Sequence, residues 1–531
     1  MLKRFLEVLV RLPRLFRSRD GFNYGLLTVA AACFLITILL PPPQSLVRLV
    51  STEHPVGYRL QPQTNTITQS INKILKTDLS PEQVADKAKT MTAVLLTAAF
   101  LWATEAIPLG ATDLLVGALL YLFAILPFDD IARAYMKDAV FFIAGVLTIA
   151  VGVSATGLDR RIGLLLLGRI RSLKAFCFVF LPSLAVAASF FSEHALIAIL
   201  VPLLVRMYLL ICEHYRVKAD RHLAVFLILG VCFALNQGGP GSPAAGGRNA
   251  IMVGYLQDSG RPISFGQWVL IGMPYVIVIS LAIGAFMYLT LKRKLRVPEV
   301  DFARFLRADV KRLGRMSRQE ILMAVILASV VFLWITASRR FGLGGPCVFG
   351  VVLMLVFRIC SWKDIQTRVR FDVVGLYAAA CAMGVGLKMT GASLWLAESI
   401  VNSLPESMRQ GDLLVITVSA FTGTLTNFMS DGATVAAIGP VALSMAQIGN
   451  VNLWKVGLAC AFSSSFANAT IVGTPNNAIA YVGAVVPETG ERLLRLRDFL
   501  IYGLPVTLLA WIVLWAWALF GYWKLIPWLS P

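Results

Sequence analysis

The stretch Thr426–Pro440, TNFMSDGATVAAIGP, lies within an apolar run yet holds Asn427, Ser430, Asp431, Gly432 and Thr434. A charged side chain left unpaired at bilayer depth costs about 3 kcal/mol or more, so such residues mark function. Small polar residues around a glycine end one helix and start another. Non-helical backbone inside a membrane is tolerated only where protein buries it or where it lines a cavity. The stretch therefore reads as the tip of a re-entrant hairpin and as a substrate-site candidate. Ser189–Pro202, SFFSEHALIAILVP, has the same character, with Ser192, Glu193 and His194 at its centre.

The surrounding chain fits that reading. Of its 531 residues 57% are hydrophobic and 15% charged, and the mean hydropathy is +0.74. This is the composition of an all-α polytopic membrane protein, not of a soluble domain. The net charge of +19 is explained by basic loops kept on the cytosolic side, which sets nucleic-acid binding aside. Eight scattered cysteines include no CxxC pair, so neither a disulfide framework nor a transition-metal site is indicated.

Read in order, residues 1–23 form a basic amphipathic N-terminus on the cytosolic face, with no evident cleavage site. Residues 24–89 hold a first span, stopped by Pro41-Pro42-Pro43, and a polar external loop. Spans follow at Thr90–Ile107, Gly110–Leu126 and Ala139–Gly157. A basic amphipathic piece, Asp159–Lys174, precedes the first hairpin, whose tip is 192–194. Positive residues flank this hairpin on both sides, so it enters and leaves by the cytosolic face. The next span breaks at 236–249, a Gly- and Pro-rich run that cannot be continuous helix. Trp268–Leu291 ends the first unit, 90–291, and 292–318 is a cytosolic basic loop. The second unit, 319–525, repeats the order. Spans at Ile321–Thr336, Gly344–Phe357 and Val373–Met389 precede a hairpin tip at 430–432. A span from Trp454 breaks at 473–477, and Phe499–Trp523 is the last span. The total is about eleven spans and two hairpins.

The two units match internally. Asp138, Gly152, Thr156 and Gly157 correspond to Asp372, Gly386, Thr390 and Gly391. Ser192 corresponds to Ser430, Ala245–Asn249 to Gly473–Asn477, and Trp268-x3-Gly272-x-Pro274 to Phe499-x3-Gly503-x-Pro505. The offsets are 234, 238, 228 and 231. Each unit holds an odd number of spans, so the second is inverted. Inverted repeats with broken helices near the midplane are a sign of secondary transporters.

The string Trp102-Ala-Thr-Glu-Ala-Ile-Pro-Leu109 resembles the opening signature of the divalent anion/sodium symporter family, which includes dicarboxylate, citrate and sulfate carriers. The resemblance covers about 90–525, including both tips, both breaks and Phe265-Gly-Gln-Trp268. It implies a homodimeric elevator transporter whose tips bind substrate carboxylates and whose tip oxygens and broken-helix carbonyls bind sodium. Family tips read Ser-Asn-Thr. Here Ser192 and Ser430 keep the serine, but Glu193-His194 and Asp431-Gly432 replace Asn-Thr. The second break keeps Thr474, Pro475 and Asn477. The first has Gly246-Gly247-Arg248-Asn249, losing Thr-Pro and gaining Arg248. Thr426 fits a sodium-site position.

Carried to this chain, the substrate-site candidates are Ser192, Glu193, His194, Arg248, Asn249, Ser430, Asp431, Gly432, Thr474, Pro475 and Asn477. The coupling-ion candidates are Ser192, Glu193, Ala245, Thr426, Ser430, Asp431 and Gly473, where sodium is the possible metal. No cofactor is expected.

The residues themselves say how such a site works. Small residues after each tip predict helix starts at Ala195 and Ala433, and helix N-termini offer free N–H groups to an anion. Glu193 and Asp431 oppose a dianion unless one carries a proton, Arg248 neutralises them, or cations bind. Arg248 can instead take a substrate carboxylate bidentately. The competing structural readings are Asp431 as a helix cap, Glu193 paired with His194, and Arg248 on broken-helix carbonyls. Lys388 is read as snorkelling outward, and Asp138 and Asp372 as helix-start caps.

The expected function is a secondary active transporter of a small dianion, a dicarboxylate first and a sulfate-like anion second, in an inner or plasma membrane. Coupling is to protons or sodium, and the N-terminus is cytosolic. The alternatives are a cation/proton antiporter using the acidic tips, an integral-membrane enzyme, and an anion sensor. Adjacent Ser192, Glu193 and His194 on a tight tip do not make a catalytic relay.

Overall fold

A computed structural model describes residues 22–52, 66–297 and 300–529. The expected amphipathic helix within 1–23 lies outside these apart from its last two residues, as does 53–65 of the external segment. Helices α1 (Tyr24–Leu39) and α2 (Gln44–Ser51) meet at a 63° bend at the triple proline. The polar segment after them is not simply loop. It carries α3 (Ile67–Leu75) and the start of α4 (Pro81–Thr104), each opened by a capping box on Thr66 or Ser80. Then come α5 (Leu109–Leu122), α6 (Phe128–Tyr135), α7 (Asp138–Thr156) and α8 (Leu158–Leu167).

The first hairpin is α9 (Leu173–Ala188) and α10 (Glu193–His214). The first broken helix is α11 (Arg221–Gly238), two 3-10 turns, and α12 (Gly247–Asp258). After α13 (Phe265–Leu291), the basic loop folds in part into α14 (Phe302–Arg312). There follow α15 (Arg318–Phe341), α16 (Gly344–Val356), α17 (Trp362–Arg368), α18 (Phe371–Thr390) and α19 (Ala392–Ser403). The second hairpin is α20 (Gly411–Leu425) and α21 (Asp431–Ile448). The second broken helix is α22 (Leu453–Ser463) and α23 (Pro475–Gly483), and α24 (Leu496–Leu525) completes the described chain.

Among the described residues, 7 helices are long and apolar enough to cross a membrane, or up to 8 if the bent α1–α2 pair is one span. The expected spans at Gly110–Leu126 and Gly344–Phe357 fall on helices of 14 and 13 residues. That is short of the roughly 20 needed to cross hydrocarbon without tilt.

Several boundaries also differ from expectation. The tip helices start at Glu193 and Asp431, two residues before Ala195 and Ala433. Ser192 Oγ accepts from Ala195 N–H at 3.3 Å and Ser430 Oγ from Ala433 N–H at 3.4 Å, so each serine is the cap and each carboxylate lies in a first turn. Asn236 is still helical, and the first break is confined to 239–246. The second break opens at Ser464, well before Gly473. Thr426 Oγ1 donates to the Ser464 carbonyl at 2.7 Å, which removes that acceptor from helical use.

The hairpins and breaks pack crosswise. Tip helix α10 lies on α23, and tip helix α21 lies on α12. Each hairpin thus meets the helix that follows the other unit's break. Beside them α7 crosses α16 closely, with Gly145 against Cys347 and Gly152 against Met354 leaving no room for a Cβ.

Candidate functional site

The crosswise packing brings three distant charges to one point. Arg248 in the first turn of α12 donates from Nη1 to Glu193 Oε1 at 3.1 Å and also to Asp431 Oδ2. Glu193 and Arg248 are each 2% exposed, and the Asp431 side chain is 16% exposed. Asp431 also accepts through Oδ1 from the Gly432 N–H at 2.6 Å. The expectation that Glu193 pairs with His194 is replaced: Glu193 pairs with Arg248. Asp431 does more than cap, because the cap is Ser430. Arg248 serves neither broken-helix carbonyls nor one carboxylate alone.

Bare backbone makes room for the guanidinium. A Cβ on Gly239 would collide with Arg248 Nη2, and one on Gly246 would stand 2.9 Å from Nη1. Tyr377 of α18 closes the next side, with its ring against Gly247 and its hydroxyl 3.5 Å from where a Cβ on Gly432 would be. Glu193 Oε2, Arg248 Nε and Nη2, Asn249 Oδ1, Ser465 Oγ and Asn468 Nδ2 are buried without a hydrogen-bond partner among the described residues.

A second polar cluster starts from the same tip. His194 Nδ1 is 2.7 Å from Asn476 Oδ1. Asn476 Nδ2 donates to Asn236 Oδ1 at 2.9 Å, and Asn236 Nδ2 donates to Asn468 Oδ1 at 3.1 Å and Asn477 Oδ1 at 3.0 Å. Asn477 Nδ2 donates to the carbonyls of Ala467 and Thr470, at 2.7 and 2.6 Å, and so holds the second break open. In the first break Asn249 Nδ2 does the same for Gly239 and Ser242, at 2.8 and 2.7 Å. These amides satisfy carbonyls that a break leaves orphaned.

The remaining candidates support the breaks. Thr474 caps α23 through Oγ1 and Pro475 occupies its first turn. Gly473 approaches the Thr426 carbonyl so closely that a Cβ would lie 2.6 Å from it. Ala245 ends the second 3-10 turn of the first break. Lys388 does not snorkel freely, since its Nζ donates to the Asp258 carbonyl at the end of α12. Asp138 does not cap its own helix, whose N-cap is Lys137 with no side-chain cap; it accepts from the N–H groups of Leu343 and Gly344, at 2.9 and 3.0 Å, and so serves the start of α16.

Sequence reasoning missed Asn236, Ser465, Asn468, Asn476 and Tyr377. The signal for the asparagines was present: each is an amide within or beside an apolar run, costly at depth without partners. Nothing local marks Tyr377 or Ser465. A small cavity of about 20 Å³ lies beside the first tip, lined by Val146, Asp159, Phe191, Ser192, Ala244 and Trp334 among others.

Residues 75–529 match the family described as the sodium:sulfate symporter transmembrane region. The sodium-dependent dicarboxylate transporter SdcS of Staphylococcus saprophyticus is 26% identical over 429 residues, covering 76% of this chain and 81% of the relative. The sodium-dependent high-affinity dicarboxylate transporter 3 of Caenorhabditis elegans is 25% identical over 436 residues, covering 72% and 76%. Among solved structures, Neisseria gonorrhoeae MtrF, described with a class of antimetabolite efflux pumps, superposes with a TM-score of 0.56. It does so over 97% of this chain and 98% of its own, at 13% identity, a likeness of fold.

Proposed function

Because this chain belongs to the sodium:sulfate symporter family and is an integral-membrane transporter rather than an enzyme, we propose that it moves a small dianion by secondary active transport. A dicarboxylate is the first choice, as the names of its relatives suggest, and a sulfate-like anion the second. Coupling is to a cation gradient, protons or sodium. The relatives' names favour sodium, whereas Glu193, His194 and Asp431 favour protons.

One observation carries the reading: two serine-capped helix N-termini and a guanidinium converge at the junction of both hairpins with both breaks. Helix N-termini and arginine are the groups that hold carboxylates and sulfate in place of water. The matched hairpins and breaks support an inverted repeat of about eleven spans, which moves as an elevator and assembles as a homodimer. On this reading the protein lies in an inner or plasma membrane with its N-terminus in the cytosol, the side that basic segments favour.

Counterflow of labelled succinate in proteoliposomes tests this. Exchange of succinate, or of sulfate, is the expected result. Absence of both together with a pH-dependent sodium flux would instead support a cation/proton antiporter. That second reading rests on the two tip carboxylates.

A further inference from the structure

We propose that Arg248 is a built-in counter-cation that fills, between the two tip carboxylates, the place a mobile inorganic cation would otherwise take, so that this carrier works without sodium. The inference rests on the transport reading above and departs from relatives named as sodium-dependent.

Charge carries the argument. Glu193 and Asp431 stand at two hairpin tips inside a membrane domain, and two carboxylates that are both ionised there need a cation between them. A mobile ion bridging the two carboxylates would have to coordinate an oxygen of each. Glu193 Oε1 and Asp431 Oδ2 are both taken by one nitrogen, Arg248 Nη1, while Glu193 Oε2 has no partner among the described residues.

The seat is built for a guanidinium. Gly239 and Gly246 lie against its terminal nitrogens where any Cβ would intrude. Arg248 also sits in the first turn of α12, the positive end of a helix and an unfavourable place for a cation unless anions face it. Arginine–carboxylate pairs are frequently bidentate through the fork. This arginine instead spans both carboxylates with Nη1 alone, and its Nε and Nη2 donors are buried without partners among the described residues.

The test uses the purified full chain, with sodium chloride replaced by choline chloride at constant ionic strength and pH. In proteoliposomes, wild-type succinate counterflow is expected to persist in choline, and in detergent its melting temperature to be the same in both salts. Arg248→Ala removes the tethered cation. It is expected to lose counterflow in choline and to regain melting temperature and flux with sodium or with a few millimolar guanidinium, but not with choline. Sodium-selective stabilisation of the wild type, or loss of its counterflow in choline, overturns the proposal. So does a folded Arg248→Ala that responds to neither cation. Should the wild type move neither succinate nor sulfate, the dianion reading fails while the melting comparison still decides the role of Arg248. That comparison needs no variant, so it remains decisive if Arg248→Ala does not fold.

Discussion

Gly239→Ala gives the sharpest structural test, because its sign depends on one contact. Gly239 has φ −51° and ψ −46°, a conformation alanine adopts without strain. At such a site glycine to alanine normally stabilises by about 0.4–1 kcal/mol through the unfolded chain. Here the new Cβ would collide with Arg248 Nη2 and stand 2.8 Å from Cζ and 3.0 Å from Ser465 Oγ. The guanidinium must leave, and Glu193 is then a buried carboxylate without its cation. Breaking a buried pair costs about 3–5 kcal/mol, so the net expectation is a loss of about 2–4 kcal/mol. By entropy scaling with chain length this is a drop of a few degrees in melting temperature. The assay is thermal unfolding of detergent-purified protein for Gly239→Ala, Arg248→Ala and the double variant. Once Arg248 is gone only the 3.0 Å approach to Ser465 Oγ remains, which a hydroxyl rotation and small shift can relieve, so Gly239→Ala should destabilise the wild type yet be neutral or stabilising in the Arg248→Ala background. Such a reversal is a coupling that independent sites do not show. If Gly239→Ala raises the melting temperature in both backgrounds, the guanidinium is not seated on Gly239 and the triad reasoning fails.

Further outcomes follow from other contacts. Asn476→Ala strips His194 and Asn236 of their shared partner. It should cost about 1–3 kcal/mol and slow counterflow, read by melting and flux together. Arg161 of α8 pairs with Glu320 at 2.6 Å and donates to the carbonyls of Leu313 and Gly314, which fastens the end of the basic loop and the start of α15 to α8. Arg161→Leu should therefore make the 313–317 turn a faster protease site, with about 3–5 kcal/mol lost from the pair. Ser192→Ala and Ser430→Ala each remove a tip cap and should each lower stability by about 0.5–2 kcal/mol, whereas glycine at either position costs only a few tenths. Asp364 lies between spans, where the Ser361 hydroxyl and N–H hold its carboxyl below the usual carboxylate range. Its capping of α17 is therefore present above that range and is lost as pH falls through the depressed value. Amide protection at 361–368, referred to the intrinsic exchange rate at each pH, should fall only in acid; protection that is constant with pH would exclude the cap.

The amino-acid sequence alone determined the membrane class and where the apolar runs are interrupted. Apolar runs of spanning length can only be membrane helices, and the polar residues around Ser192 and Ser430 can only be interruptions of them, because hydrocarbon offers an orphaned backbone group no partner. The family signature at 102–109 pointed the same way. The chemistry of the junction was decided by tertiary structure. Arg248 lies 55 residues from Glu193 and 183 from Asp431, and His194 lies 282 from Asn476. No local pattern encodes those pairings. The second break opens at Ser464 for the same reason, since a threonine 38 residues away takes its carbonyl. Periodicity and composition act over a few turns of helix. An ion pair inside a membrane is fixed by which helices cross, and the crosswise seating of each hairpin on the other unit's broken helix turned two acidic tips and one arginine into a single closed charge cluster.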